Sequence, residues 1–135
     1  MTTAPVRSQF TILFVEDDVE SAGVFRSILE AHGYAVRVAT DVEAALVELR
    51  ERPAAIVIDL HLPTTDGLEL LRRIRSGAWP ELPAVVITGD YLVDEPVVRE
   101  LEALDARLHF KPLWEEDLLR IVATLVSHHT GPIEA

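Results

Sequence analysis

Hydrophobic residues along this chain fall into two alternating kinds of segment. Thr11-Ile-Leu-Phe-Val15, Ala54-Ala-Ile-Val-Ile58 and Ala84-Val-Val-Ile87 are short, unbroken apolar runs bounded by polar residues. Such runs are the mark of strands buried on both faces. Ala35-Val-Arg-Val-Ala39 and Arg107-Leu-His-Phe110 are weaker runs of the same kind. Between the runs, apolar positions recur with the period of an amphipathic helix. The stripes are Ala22, Phe25, Ile28 and Leu29; then Val42, Ala45, Leu46 and Leu49; then Leu70, Leu71 and Ile74. Val97, Val98, Leu101 and Leu104 follow, and Leu118, Ile121, Val122 and Leu125 form the most regular stripe.

The punctuation agrees with this division. Asp18 is placed to cap the first helix, and Thr40 with Glu43 has capping-box spacing at the start of the second. Gly33 follows the first helix, where a C-terminal glycine is common. Asp66-Gly67 predicts a turn into the third helix, and Pro53, Pro83 and Pro112 sit at element boundaries. The order is strand–helix five times over. Strict alternation implies parallel strands, right-handed crossovers and helices on both faces, an α/β doubly wound five-stranded sheet. One domain is expected over residues 9–127, with loose tails at 1–8 and 128–135. Trp79 and Trp114 are expected to pack loops.

Composition narrows the function classes. A chain of 135 residues, 49% hydrophobic and 26% charged, suits one folded domain rather than a disordered segment. With no cysteine, disulfide scaffolds, thiol nucleophiles and cysteine-based zinc sites are excluded. Twelve basic residues against 23 acidic give a net charge of −11, which disfavours nucleic acid and suits cations or basic partner surfaces. The N-terminus has no apolar signal region, and no apolar run approaches the ~18 residues of a membrane span. The expected compartment is the cytoplasm, with no membrane contact.

Candidate chemistry collects at predicted strand ends. Glu16-Asp17-Asp18 follows the first strand, Asp59 ends the third and Thr88 ends the fourth. Ligands of open α/β sheets bind beyond the carboxyl ends of the strands, at the point where strand order reverses. Of the two common orders, 2-1-3-4-5 sets strands 1 and 3 side by side and brings Glu16, Asp17 and Asp59 together. Two carboxylates ~4 Å apart repel by about 4 kcal/mol at an effective dielectric of roughly 20. A proton or a cation must offset that, and hard oxygen donors point to Mg²⁺. Lys111 is the only lysine and ends the fifth strand. Acids, a divalent cation, a hydroxyl and an ammonium make up a phosphoryl-transfer set, with a carboxylate as nucleophile.

Phe14-Val-Glu-Asp-Asp18, Ile58-Asp-Leu-His-Leu-Pro63 with Asp66-Gly67, Val86-Ile-Thr-Gly89 and Phe110-Lys-Pro112 together resemble the receiver domain of bacterial response regulators. The resemblance runs from about Gln9 to Ser127. It implies the flavodoxin-like (βα)5 fold in order 2-1-3-4-5, with Asp59 as phosphoacceptor. It implies that Glu16 and Asp17 are the acidic pair, Asp17 binding Mg²⁺ directly and Glu16 mostly through water. The main-chain carbonyl of His61 is the implied third protein ligand of Mg²⁺, alongside Asp17 and Asp59. Thr88 and Lys111 are implied to bind phosphoryl oxygens, and the Lys111–Pro112 bond to be cis. Implied partners are a sensor histidine kinase or histidine phosphotransfer protein upstream. Downstream, a protein is implied to bind the face of helix 4, strand 5 and helix 5. One position departs from the family pattern. Leu108 stands three residues before Lys111, where receivers commonly carry an aromatic residue. Phe110 shares that strand face and is expected in the core. Two alternatives stand beside a single-domain regulator that handles only its own phosphoryl group. One is a Mg²⁺-dependent aspartyl-phosphate phosphatase or phosphotransferase. The other is a receiver belonging to a larger regulator or hybrid kinase.

Overall fold

The structure, a computed structural model, describes residues 10–62, 66–90 and 92–127. Pro63 and the predicted tails at 1–8 and 128–135 lie outside the described residues. The strands are β1 (Thr11–Val15), β2 (Ala35–Ala39), β3 (Ala55–Asp59), β4 (Ala84–Thr88) and β5 (Ala106–Phe110). They form one parallel sheet in the order 2-1-3-4-5. The helices are α1 (Val19–Ala31), α2 (Val42–Glu48), α3 (Gly67–Ser76), α4 (Glu95–Ala103) and α5 (Glu115–Ser127). A single 3₁₀ turn, Leu49–Glu51, extends α2.

Period-2 alternation divides the core into two layers. Leu13, Val15, Ile56, Ile58 and Val86 pack with the apolar stripes of α2, α3 and α4. Ile12, Phe14, Val57, Val85 and Ile87 pack with α1 and α5 on the opposite face, where Phe14 stacks on Phe25 at 4.9 Å between ring centroids. Every residue of β3 and β4 is buried. That is why these runs are unbroken in the sequence, whereas β2, at the sheet edge, carries the exposed Arg37 in mid-strand.

Helix starts follow carboxylate chemistry. Asp18 caps α1 by accepting from the Glu20 amide, and Asp66 caps α3 by accepting from the Glu69 amide. The start of α2 differs from the capping-box reading. Asp41, not Thr40, is the N-cap, and its carboxylate accepts from the Ala44 amide at 2.8 Å. β2 ends at Ala39, so Thr40 is the connecting residue, one position too early to cap. Gly33 takes a positive φ of 93° just after α1, a conformation open to glycine at little cost.

Two expectations about aromatic residues are corrected. Phe110 is 42% exposed and outside the core, because it is the last residue of an edge strand in which only Ala106 is buried. Trp114 is 68% exposed instead of packing its loop. Trp79 does pack against the core. No helix among the described residues is long and apolar enough to cross a membrane.

Candidate functional site

The carboxyl ends of β1, β3, β4 and β5 meet at one edge of the sheet, and the backbone ladder continues past them. The Glu16 amide donates to Ala39 O at 2.9 Å, the Leu60 amide to Ile87 O at 2.8 Å and the Lys111 amide to Thr88 O at 2.8 Å. These bonds fix the residue that follows each strand. Glu16 and Lys111 are thereby anchored, and Asp59 is held as the last residue of β3 beside Ile87 of β4, although the three come from distant parts of the chain.

Lys111 Nζ bridges the two buried acids. It donates to Glu16 Oε1 at 3.0 Å and to Asp59 Oδ2 at 3.1 Å. Glu16 is 1% exposed and Asp59 5%. The second oxygen of each is also held: Glu16 Oε2 accepts from the Asp18 amide at 3.2 Å, and Asp59 Oδ1 from the His61 amide at 3.1 Å. Asp17 is exposed on the solvent side of the pair. Carboxylate oxygens of Glu16, Asp17 and Asp59 lie within 4.8 Å of one another. Three acids against one ammonium leave an excess of negative charge. Burial pushes the Glu16 carboxyl above its ordinary value, its contact with Asp59 pushes the same way, and Lys111 only partly offsets this. For Lys111, burial opposes the charged form, but the hydrogen bonds to Glu16 and Asp59 outweigh it and hold the ammonium above its ordinary range.

Thr88 is fully buried at the end of β4, and its Oγ1 accepts from the Asp90 amide at 3.0 Å. His61 pairs in an isolated bridge with Asp66, and its ring turns to Asp90, with Nε2 3.8 Å from Oδ2. The ring is not part of the cluster formed by Glu16, Asp17 and Asp59. Lys111–Pro112 is cis. The donor set at the cluster is all hard oxygen, as Mg²⁺ requires, and the net negative charge suits a cation.

All six residues singled out in the sequence, Glu16, Asp17, Asp59, His61, Thr88 and Lys111, lie at this edge. The contacts of the Asp90 and His61 amides were not legible, because backbone donors leave no residue-type signature. Gly67 was legible only as a turn. A Cβ there would come within 2.4 Å of Asp59 O and 2.7 Å of Ile58 Cγ2, so the first turn of α3 presses directly on the strand that carries Asp59.

A family model described as the response regulator receiver domain matches residues 12–123. Response regulator MprA of Mycobacterium leprae is 38% identical over 125 residues, covering 92% of this chain and 54% of that protein. The chain spans about half the length of the curated relatives it matches. Among solved structures, a putative response regulator from Chloroflexus aurantiacus superposes with a TM-score of 0.79 at 28% identity, covering 89% of this chain and 99% of that one. A CheY-like receiver domain protein from Methanospirillum hungatei gives a TM-score of 0.81 at 26% identity, covering 90% and 97%.

Proposed function

The chain belongs to the response regulator receiver family of two-component signalling, and from that premise we propose that Asp59 is its phosphoacceptor. The observation that carries the reading is the Lys111 ammonium, shared between Glu16 and Asp59 at one sheet edge beside the buried Thr88. In the proposed reaction an Asp59 oxygen attacks the phosphorus of a phosphohistidine on a sensor histidine kinase or phosphotransfer protein. The P–N bond breaks, its electron pair returns to the imidazole, and the ring takes up a proton. An acyl phosphate remains on Asp59.

Each neighbour has a role that follows from its present contacts. Lys111 already holds Asp59 Oδ2, and its ammonium follows the negative charge onto a phosphoryl oxygen. The His61 amide holds Asp59 Oδ1 and fixes the carboxylate rotamer. The Thr88 hydroxyl supplies a further donor to the phosphoryl group. Glu16, Asp17, Asp59 and the main-chain carbonyl of His61 are the residues that would hold Mg²⁺. When bound, that ion supplies charge neutralisation for the phosphoryl oxygens and the crowded acids. Loss of the group is hydrolysis: water attacks phosphorus, inorganic phosphate leaves and the carboxylate is restored. In this reading the chain accepts a phosphoryl group and hydrolyses only its own acyl phosphate.

The proposed output is a change in binding of a downstream protein at the face of α4, β5 and α5, in the cytoplasm. Its acidity argues against nucleic acid as the partner of this domain. The test is intact-mass measurement after incubation with acetyl phosphate and Mg²⁺. One added phosphoryl group, about 80 Da, is expected on the native chain and none on Asp59→Asn. Equal labelling of the variant would remove Asp59 from the reaction.

A further inference from the structure

α3 begins with a glycine that stands against the strand carrying the candidate nucleophile. A Cβ on Gly67 would fall 2.4 Å from Asp59 O, 2.7 Å from Ile58 Cγ2 and 3.2 Å from Asp59 C. Neither partner has room to withdraw. Every residue of β3 is buried, and α3 is seated by Leu68, Leu70, Leu71 and Ile74, all buried in the core. The contact is tied at the same point, where the Gly67 amide donates to Leu60 O at 2.7 Å. Asp66, one residue earlier, caps α3 by accepting from the Glu69 amide at 3.0 Å and pairs with His61 in the isolated bridge.

These ties set two groups of the site at once. Asp59 carries one carboxylate, and His61, two residues on, carries the main-chain carbonyl assigned to the cation. The His61 amide donates to Asp59 Oδ1 at 3.1 Å, so His61 is held on one side by Asp59 and on the other by Asp66. Moving the start of α3 therefore moves His61 relative to Asp59. The glycine just past the other end of α3 makes the contrast. A Cβ on Gly77 would fall 2.8 Å from Arg73 O. The atoms it would meet belong to α3 itself, not to the site.

We propose that Gly67 is a positioning residue that sets the cation selectivity of the site. Its missing side chain lets α3 close on β3, and that closure fixes the spacing of the His61 carbonyl from the Asp59 carboxylate. Mg²⁺ takes near-ideal octahedral geometry with bonds of about 2.0–2.1 Å, whereas Ca²⁺ accepts longer bonds and irregular geometry. A displaced carbonyl therefore penalises Mg²⁺ more than Ca²⁺. This role rests on the reading of Glu16, Asp17, Asp59 and the His61 carbonyl as the residues that would hold Mg²⁺. It adds the residue that makes the site choose that ion.

The test is titration of the full chain with magnesium chloride and, separately, calcium chloride, followed through the NMR amide shifts of Asp59, Leu60 and His61. Gly67→Ala is expected to weaken Mg²⁺ binding by about tenfold or more and Ca²⁺ binding by less than about threefold. The preference for Mg²⁺ over Ca²⁺ then falls. Gly77→Ala is expected to lower the unfolding midpoint while the preference stays at the native value, which separates positioning from loss of stability. Asp66→Ala removes the α3 cap without adding a clashing atom. It is expected to lower the preference by about threefold, and it decides the matter if Gly67→Ala does not fold. An unchanged preference in Gly67→Ala, or in Asp66→Ala where Gly67→Ala does not fold, overturns the role of Gly67. An equal fall in Gly77→Ala overturns it too. If the native chain shows no saturable shift at these amides with Mg²⁺, the metal reading fails and the selectivity role falls with it. That outcome is distinct from a native Mg²⁺ site whose preference ignores Gly67.

Discussion

Glu16 shows what it costs to bury an acid beside another acid. Its carboxyl is buried beside Asp59, and burial is the largest reason its pKa stands above the ordinary 4.5. A folded-state pKa above the unfolded one means that the native state holds the proton more tightly. The associated stability is fully present below 4.5 and is lost as pH rises through the folded value. In metal-free denaturant titrations, Glu16→Gln is therefore expected to gain on the native chain as pH rises above 4.5. A difference that does not change with pH would contradict this. Gly67 makes the opposite kind of demand. Gly67→Ala forces a Cβ to 2.4 Å from Asp59 O, and overpacking against backbone of this kind costs about 1–3 kcal/mol. Thermal unfolding should show the loss, and an unchanged midpoint would mean that β3 and α3 separate more easily than their packing implies. The acids, Thr88 and Lys111 were legible because each ends or follows an apolar run. The amides of His61 and Asp90 were not, because every residue but proline carries that donor.

At the scale of elements, the apolar runs and stripes correspond to the strands and helices, and the misses have local causes. Thr40 and Asp41 are adjacent residues that can both cap a helix. Only the point where β2 ends, at Ala39, decides between them. Alternation put Phe110 on the correct face of β5 but could not say how far the covering layer extends, and at the rim of an edge strand it does not reach. The contacts of Arg72 and Arg75 with α4 span about 30 residues of sequence, so no local pattern announces them. Arg75 lends itself to a stability test. Burial pulls its guanidinium below the ordinary range, yet it serves carbonyls from the α3–β4 connection and from the end of α4. Arg75→Met removes the donor from partly buried carbonyls and is expected to cost about 2 kcal/mol. The unfolding midpoint in urea checks it. A loss below about 0.5 kcal/mol would show that water replaces the arginine.

For the whole molecule, topology does what no single element does. The 2-1-3-4-5 order sets β1 beside β3 and runs on through β4 to β5, so acids from two strands, a hydroxyl from a third and the ammonium after a fourth share one edge. Strict alternation of strands and helices gave the parallel sheet with helices on both faces. The strand order needed the family resemblance as well, since alternation alone admits more than one order. The central claim is that this edge exists to place a phosphoryl group on Asp59. Chemical trapping tests it at the level of the atom. Borohydride reduces an acyl phosphate, so an aspartyl phosphate is converted to homoserine at the modified position. After acetyl phosphate and Mg²⁺, peptide mass spectrometry is predicted to find homoserine at position 59 and at no other aspartate. Homoserine at position 17 or 90 with aspartate intact at 59 would contradict the account.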